Sequence, residues 1–209
     1  MYHLFYAKGS ELFAAHVVLE EIGSPYAADI LNKITLQNVV PDANRRNGLA
    51  IADRRNAEPG FLTETSTILL FLARNHPEAK LIPDDPYEEA QCLEWLSWLS
   101  IQLAGVAFEQ VWHPDRFVLD PNTYREVVTK GWWKIEEHFD WIEERLSDEW
   151  DWAVRSGYSL ADIYLLVFWL WGERIGFSMA GRWHAWARLM DKIMSRPAVR
   201  RVMLIEGLD

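Results

Sequence analysis

His76-Pro77-Glu78-Ala79-Lys80-Leu81-Ile82-Pro83-Asp84-Asp85-Pro86 divides the chain in two. Three prolines in eleven residues cannot continue a helix, because each lacks a backbone N–H and fixes φ. The segment 77–86 therefore reads as a linker, with one unit over 1–76 and another over 87–209. Composition changes across it. All 12 tryptophans of the 209 residues lie between Trp95 and Trp186. Residues 1–80 carry 8 basic and 9 acidic side chains and the rest carry 13 and 22, so most of the net charge of -10 falls in the second part.

Before the linker, strand and helix signals mix. Tyr2–Tyr6 reads as a buried strand. Ser10 is placed to cap a helix with Leu12, Phe13, Val17 and Leu19 on its apolar face, ending near Gly23. Tyr26–Leu31 and Leu49–Ala52 are short strands, and Asn56-Ala57-Glu58-Pro59-Gly60 is turn chemistry before a return strand at Phe61-Leu62. Thr65 or Thr63 caps a helix over 66–74.

After the linker the pattern is helical throughout. Asp85, Pro86 and Glu88 supply a cap, a proline at the first position and an acid in the first turn of a helix to about Trp112. Asp120-Pro121 opens a helix over about 124–146, and Ser159-Leu160-Ala161-Asp162 is a capping-box-like start to the apolar run Ile163–Trp171. Helices follow over 183–194 and from Pro197 to about Met203. Trp95/Trp98, Trp169/Trp171 and Trp183/Trp186 sit on apolar helix faces and are expected in the core, which leaves Trp112 as the tryptophan for a cleft.

Composition excludes several classes. The acid excess argues against a nucleic-acid surface. A single cysteine, Cys92, rules out an internal disulfide framework and reads as a packed thiol. The longest unbroken apolar run is nine residues, short of the ~20 that span a bilayer, and Met1–Tyr6 shows no leader pattern, so a cytoplasmic protein is expected. The six histidines lack metal-ligand spacing, and no metal is expected.

Three segments in this order resemble the soluble bacterial glutathione transferases. Leu4-Phe5-Tyr6-Ala7-Lys8-Gly9-Ser10 with Ala14-Ala15-His16 resembles their first strand, active-site loop and first helix. Phe61-Leu62-Thr63-Glu64-Thr65-Ser66-Thr67 and the helix after it resemble the segment that binds the γ-glutamyl group, and Tyr158-Ser159-Leu160-Ala161-Asp162 resembles the motif opening the buried helix of the second domain. The likeness covers essentially the whole chain. It implies a thioredoxin-like glutathione-binding domain followed by an all-α bundle lining a hydrophobic cleft, and a homodimer with glutathione as co-substrate.

Glutathione chemistry needs a thiolate, and a free thiol has a pKa of about 8.5, so the site must favour the anion. Helix N-terminal N–H groups and a hydroxyl do this. Ser10 is placed for that role, or is only a helix cap; Tyr6 and Lys8 compete with it, Tyr6 more simply as strand packing. Glu64 would accept from the γ-glutamyl ammonium, and the Thr65 hydroxyl with helix N–H groups would hold its carboxylate. The resemblance gives Leu49 and Ala50 backbone contacts to the cysteinyl part and sets Phe108 and Trp112 in the apolar cleft. His113 either lines that cleft or caps a helix end. Arg45, Arg46, Arg54 and Arg55 would attract an anion or simply form a solvated surface.

The chain also departs from the family. The beta-class cysteine position overlays Glu11, with Ser10 one place before it, and the beta-class helix histidine has no counterpart in Gln102-Leu103-Ala104-Gly105-Val106. The usual cis-proline is missing from Gly48-Leu49-Ala50-Ile51. A cis bond before a non-proline residue costs about 2.5–4 kcal/mol, so a trans bond before Ala50, or a shifted alignment, is expected. The expected activity is transfer of the glutathione thiolate to a small apolar electrophile. The rivals are a non-catalytic protein of this fold binding an apolar ligand or partner, and a glutathione-dependent peroxidase, reductase or dehalogenase.

Overall fold

The computed structural model describes residues 1–30, 60–146 and 150–208 in full and residues 48–51 by their backbone. Arg45, Arg46, Arg54 and Arg55 lie outside the described residues.

Strands β1 (Tyr2–Tyr6), β2 (Tyr26–Ile30), β3 (Gly48–Ile51) and β4 (Gly60–Leu62) form one sheet in the order β2-β1-β3-β4. The β1–β2 pair is parallel and needs a crossover, which helix α1 (Phe13–Ile22) supplies; the β1–β3 and β3–β4 pairs are antiparallel. Leu4, Phe5 and Tyr6 are buried, as the unbroken apolar run requires of a central strand. Helix α1 ends at Gly23, whose φ of 63° is the left-handed conformation glycine takes most easily. Helix α2 (Thr65–Asn75) completes this part. Neither Thr63 nor Thr65 caps it: the capping position is Glu64, without a side-chain cap bond.

A short 3-10 turn, Pro77–Ala79, follows, and Asp85 then caps helix α3 (Pro86–Trp98) by accepting from the Tyr87 and Glu88 amides at 3.0 Å. The helix expected to run on to Trp112 changes character instead. Leu99–Phe108 is π-helical before a last α turn, α4 (Glu109–Trp112). A Cβ at Gly105 would lie 3.1 Å from the Ser100 carbonyl oxygen, five residues back, so glycine suits the wider winding.

Four helices follow: α5 (Tyr124–Leu146), α6 (Leu160–Ile175), α8 (His184–Met194) and α9 (Pro197–Glu206), with a single turn α7 (Met179–Arg182) before α8. The last runs three residues past the expected end, to a left-handed Gly207. Helix α6 is apolar on all sides and is the buried axis of the bundle. The Asp162 carboxylate anchors its start, accepting from the Ser159 amide (2.7 Å), the Ser159 hydroxyl (3.0 Å) and the Ala153 amide (2.8 Å). Burial still lifts this carboxyl to about 6. Helix α1 packs against α2, α6 and α9, so one hydrophobic core spans sheet and bundle.

Tryptophans 95, 169, 171, 183 and 186 are buried as expected, Trp98 is half-buried, and Trp133 is 68% exposed. Cys92 is fully buried, and burial raises its thiol to about 11. Helices α4 and α5 touch closely at Gly131, where a Cβ would lie 2.9 Å from Gln110 Cβ and Val111 Cγ2 and 3.0 Å from the Ala107 oxygen. Overpacking costs about 1–3 kcal/mol, against roughly 1 kcal/mol that alanine gains in helix propensity. Gly131→Ala should therefore lower stability in urea unfolding despite its better propensity.

Candidate active site

The site begins in the loop between β1 and α1. Two tight turns build it: the Ser10 amide donates to the Ala7 oxygen at 3.0 Å and the Phe13 amide to the Ser10 oxygen at 3.0 Å. Helix α1 therefore starts at Phe13, its capping position is Leu12, and no side chain caps it. This corrects the reading of Ser10 as a helix cap. Backbone turns satisfy the approach to the helix, and the Ser10 hydroxyl is left buried without a hydrogen-bond partner among the described residues.

Gly9 is gripped from both sides. Its amide donates to Glu206 Oε2 at 2.8 Å, and its carbonyl accepts from Trp171 Nε1 at 2.8 Å. Its φ of 63° suits glycine. Glu206 comes from α9 and Trp171 from α6, so the helical part fixes the loop that carries Ser10. Glu206 Oε1 also lies 2.8 Å from His16 Nδ1, and His16 Nε2 lies 3.0 Å from the Tyr26 hydroxyl, which donates to Glu20 at 2.6 Å. Arg201 of α9 donates to the same Glu20 at 2.7 Å.

A cleft of about 630 Å³ opens against this loop, within the usual range for small-molecule sites. Lys8, Ser10 and Glu11 form its floor, and Thr63, Glu64 and Thr65 form one wall. The rest of the lining is aromatic and of mixed charge: Glu109, Trp112 and His113 from α4 and its end, Trp171 and Arg174 from α6. Ser10 also borders a smaller apolar recess of about 350 Å³, lined by Phe13, Val167, Leu170 and Leu208 among others.

Glu64 is exposed on the cleft rim with φ 67° and ψ 111°. For a residue with a Cβ, such a backbone costs about 1–3 kcal/mol and persists only where its surroundings hold it. Thr65 is buried, and its hydroxyl donates to Glu11 Oε2 at 3.1 Å. Glu11 is mostly enclosed, with an edge on the cleft. Desolvation lifts its carboxyl to about 7; the Thr65 and Tyr164 hydroxyls oppose the rise, while the charges of Glu64 and Glu109 add to it.

Of the expected residues, the structure brings Ser10, Glu64, Thr65, Trp112, Lys8 and His113 to one cleft. His113 also ends α4, its amide donating to the Glu109 oxygen at 2.8 Å. Tyr6 is buried in β1 and packs on His16 with ring centroids 5.1 Å apart. Phe108 is a correction. It is fully buried, with Trp112 and Trp171 each centred 5.0 Å from it, and those two rings, 4.6 Å apart, cover it from the cleft. Trp171, expected only in the core, also lines the cleft. Leu49 and Ala50 lie inside a strand paired on both sides, Leu49 with Leu4 and Leu62, Ala50 with His3 and Phe61. Their backbone groups are thus engaged by the sheet rather than presented to a ligand. No peptide bond among the described residues is cis.

Glu11, Trp171, Arg174 and Glu206 were not expected as site residues: Trp171 was expected in the core, and Glu11 was noted only as standing at the beta-class cysteine position. Trp171 and Arg174 lie three apart on α6, one helix face, which is a readable signal. Among the described residues, no three His, Cys, Asp or Glu side chains group as a metal site needs.

Residues 111–197 match the family described as glutathione S-transferase, C-terminal domain. No curated protein matches the chain. Among solved structures, a glutathione transferase from Methylococcus capsulatus is 26% identical with a TM-score of 0.83 over 100% of both chains. A glutathione transferase homologue from Sulfitobacter with bound glutathione is 23% identical with a TM-score of 0.85, over 100% of this chain and 99% of that one. A beta-class glutathione S-transferase from Sphingomonas chungbukensis is 24% identical with a TM-score of 0.80, over 99% of this chain and 100% of that one. Over residues 111–197 the chain is thus similar to the glutathione S-transferase C-terminal family, and the whole is folded as the bacterial glutathione transferases are.

Proposed function

We propose that the cleft binds glutathione and that the protein transfers its thiolate to a small apolar electrophile. The observation that carries this reading is the position of Ser10. Ser10 borders both a polar cleft and an apolar recess, and its buried hydroxyl has no hydrogen-bond partner among the described residues. A tripeptide lying in the first would bring its sulfur to that hydroxyl, and an electrophile in the second would meet the sulfur. Glu64 and the free N–H groups at the start of α2 would hold the γ-glutamyl end. Lys8 and Arg174 would draw the anionic peptide in. Trp112 and Trp171 would supply the apolar wall.

A hydrogen bond to a charged group contributes about 1.5–3 kcal/mol. Ser10→Ala should therefore slow conjugation of 1-chloro-2,4-dinitrobenzene by about 10- to 100-fold, with glutathione affinity little changed. Unchanged turnover would remove Ser10 from the chemistry. Absence of glutathione binding at millimolar concentration by titration calorimetry would overturn the whole reading.

Glu11 favours a second reading, a non-catalytic protein of this fold. It stands where the beta class has its cysteine, and places a carboxyl where a thiolate-forming site is best kept free of like charge. Tight binding of an apolar dye without turnover of any electrophile would support that reading instead.

A further inference from the structure

The Thr65 hydroxyl is already in use. It donates to Glu11 at 3.1 Å across the floor of the cleft, and a hydroxyl has one proton to give. Under the glutathione reading, on which this inference rests, the same hydroxyl would meet the ligand's γ-glutamyl carboxylate. Two ionised carboxylates cannot share one donor in an enclosed site without strong mutual repulsion.

We propose that Glu11 is a resident carboxyl in the γ-glutamyl carboxylate subsite, and that glutathione and its thioethers bind with Glu11 protonated. A protonated Glu11 carries no charge against the ligand and becomes a donor itself. The Thr65 hydroxyl is then free to turn to the incoming carboxylate.

The groups around Glu11 agree with this arrangement. Glu64, beside Thr65, and Glu109, on α4, both bear negative charge toward it, and Glu109 is itself paired with Arg116. Tyr164 of α6 faces it with a hydroxyl, which in turn lies near Ser100 of the π-helical stretch. The basic residues Lys8, His113 and Arg174 line the same cleft, but no ion pair joins any of them to Glu11 among the described residues. Desolvation lifts the carboxyl to about 7, so the protonated form that binding requires is within reach near neutral pH.

Linkage gives the size of the effect. If only the protonated form binds, the apparent Kd rises as one plus ten to the power of pH minus pKa. For a group titrating at about 7, affinity falls about tenfold between pH 6 and pH 8. S-methylglutathione is the probe, because its blocked sulfur has no proton to confuse the count. Calorimetry in two buffers of different ionisation enthalpy reads the protons taken up.

The protein should bind S-methylglutathione about tenfold more weakly at pH 8 than at pH 6, taking up close to one proton at pH 8. Glu11→Gln should bind with the same affinity at both pH values and take up none. Affinity that is flat with pH in the parent, or that strengthens as pH rises, would overturn the proposal. So would a Glu11→Gln protein that keeps the parent's pH dependence. Failure of both proteins to bind at any pH between 6 and 8 would instead overturn the glutathione reading itself.

Discussion

Glu206→Ala should destabilise the protein by about 3–5 kcal/mol in urea unfolding, while Glu206→Gln should cost about 1 kcal/mol or less. Proton counting produces the contrast. The Tyr26 hydroxyl spends its one proton on Glu20, so His16 Nε2 must be the donor in its bond to Tyr26. Burial and the Glu20 carboxylate raise the Tyr26 phenol well above its usual range, which keeps that proton in place. One further proton is shared between His16 Nδ1 and Glu206 Oε1, and Glu206 Oε2 takes the Gly9 amide.

Alanine at 206 would leave the His16 ring nitrogen buried without its partner and strip the part-buried Gly9 amide of its acceptor. Glutamine keeps every bond. Its carbonyl accepts from Gly9, its amide donates to a neutral Nδ1, and Nε2–H still reaches Tyr26. Equal losses for the two variants would mean that the pair matters as a charge rather than as a set of hydrogen bonds. Because Glu206 holds the loop next to Ser10, the alanine variant should also lose turnover at temperatures where it remains folded. Trp171→Phe, which removes only the indole donor to Gly9, is the matching test from the other side.

The architecture was legible because its signals are local. Asp85 and Ser159 with Asp162 announced two helix starts, and the apolar run from Ile163 named the buried helix. The site was legible in part, for the same reason. Glu64 and Thr65 are neighbours at one helix start, and their presence in the cleft follows from that start alone.

What was missed depends on groups far apart in sequence or on backbone that needs no side chain. Ser10 looks like a cap, yet backbone turns already satisfy the approach to α1 and leave its hydroxyl free. Phe108 and Trp112 are four apart and share a helix face, but Trp171 arrives from another helix and closes over Phe108. Glu206 reaches His16 across 190 residues, and no spacing rule connects them. Thr65 bonds Glu11 across 54 residues, which changes what the threonine hydroxyl can do for a ligand.

Glu11→Gln should make the protein more stable by about 3 kcal/mol at pH 8 and leave it unchanged below about pH 4.5. The folded chain holds the Glu11 proton up to about 7, while an unfolded chain releases it near the ordinary value of 4.5. Between those values the folded state binds more protons than the unfolded one, so this group makes stability fall as pH rises, with the loss complete above pH 7. Glutamine is close in shape to the protonated acid and does not titrate, so the variant escapes that loss. Asp162, lifted to about 6 by burial, contributes a slope of the same sign to both proteins and cancels in the difference. Urea unfolding at pH 4.5 and pH 8 measures it directly. A variant whose stability follows the parent's at both values would show that the carboxyl is not held against its charge. A variant that gains stability at pH 8 and also loses the pH dependence of ligand binding would tie both effects to one proton. The carboxyl in the floor of the cleft would then be a strained group, kept at a cost to the fold because it sets when the site accepts an anion.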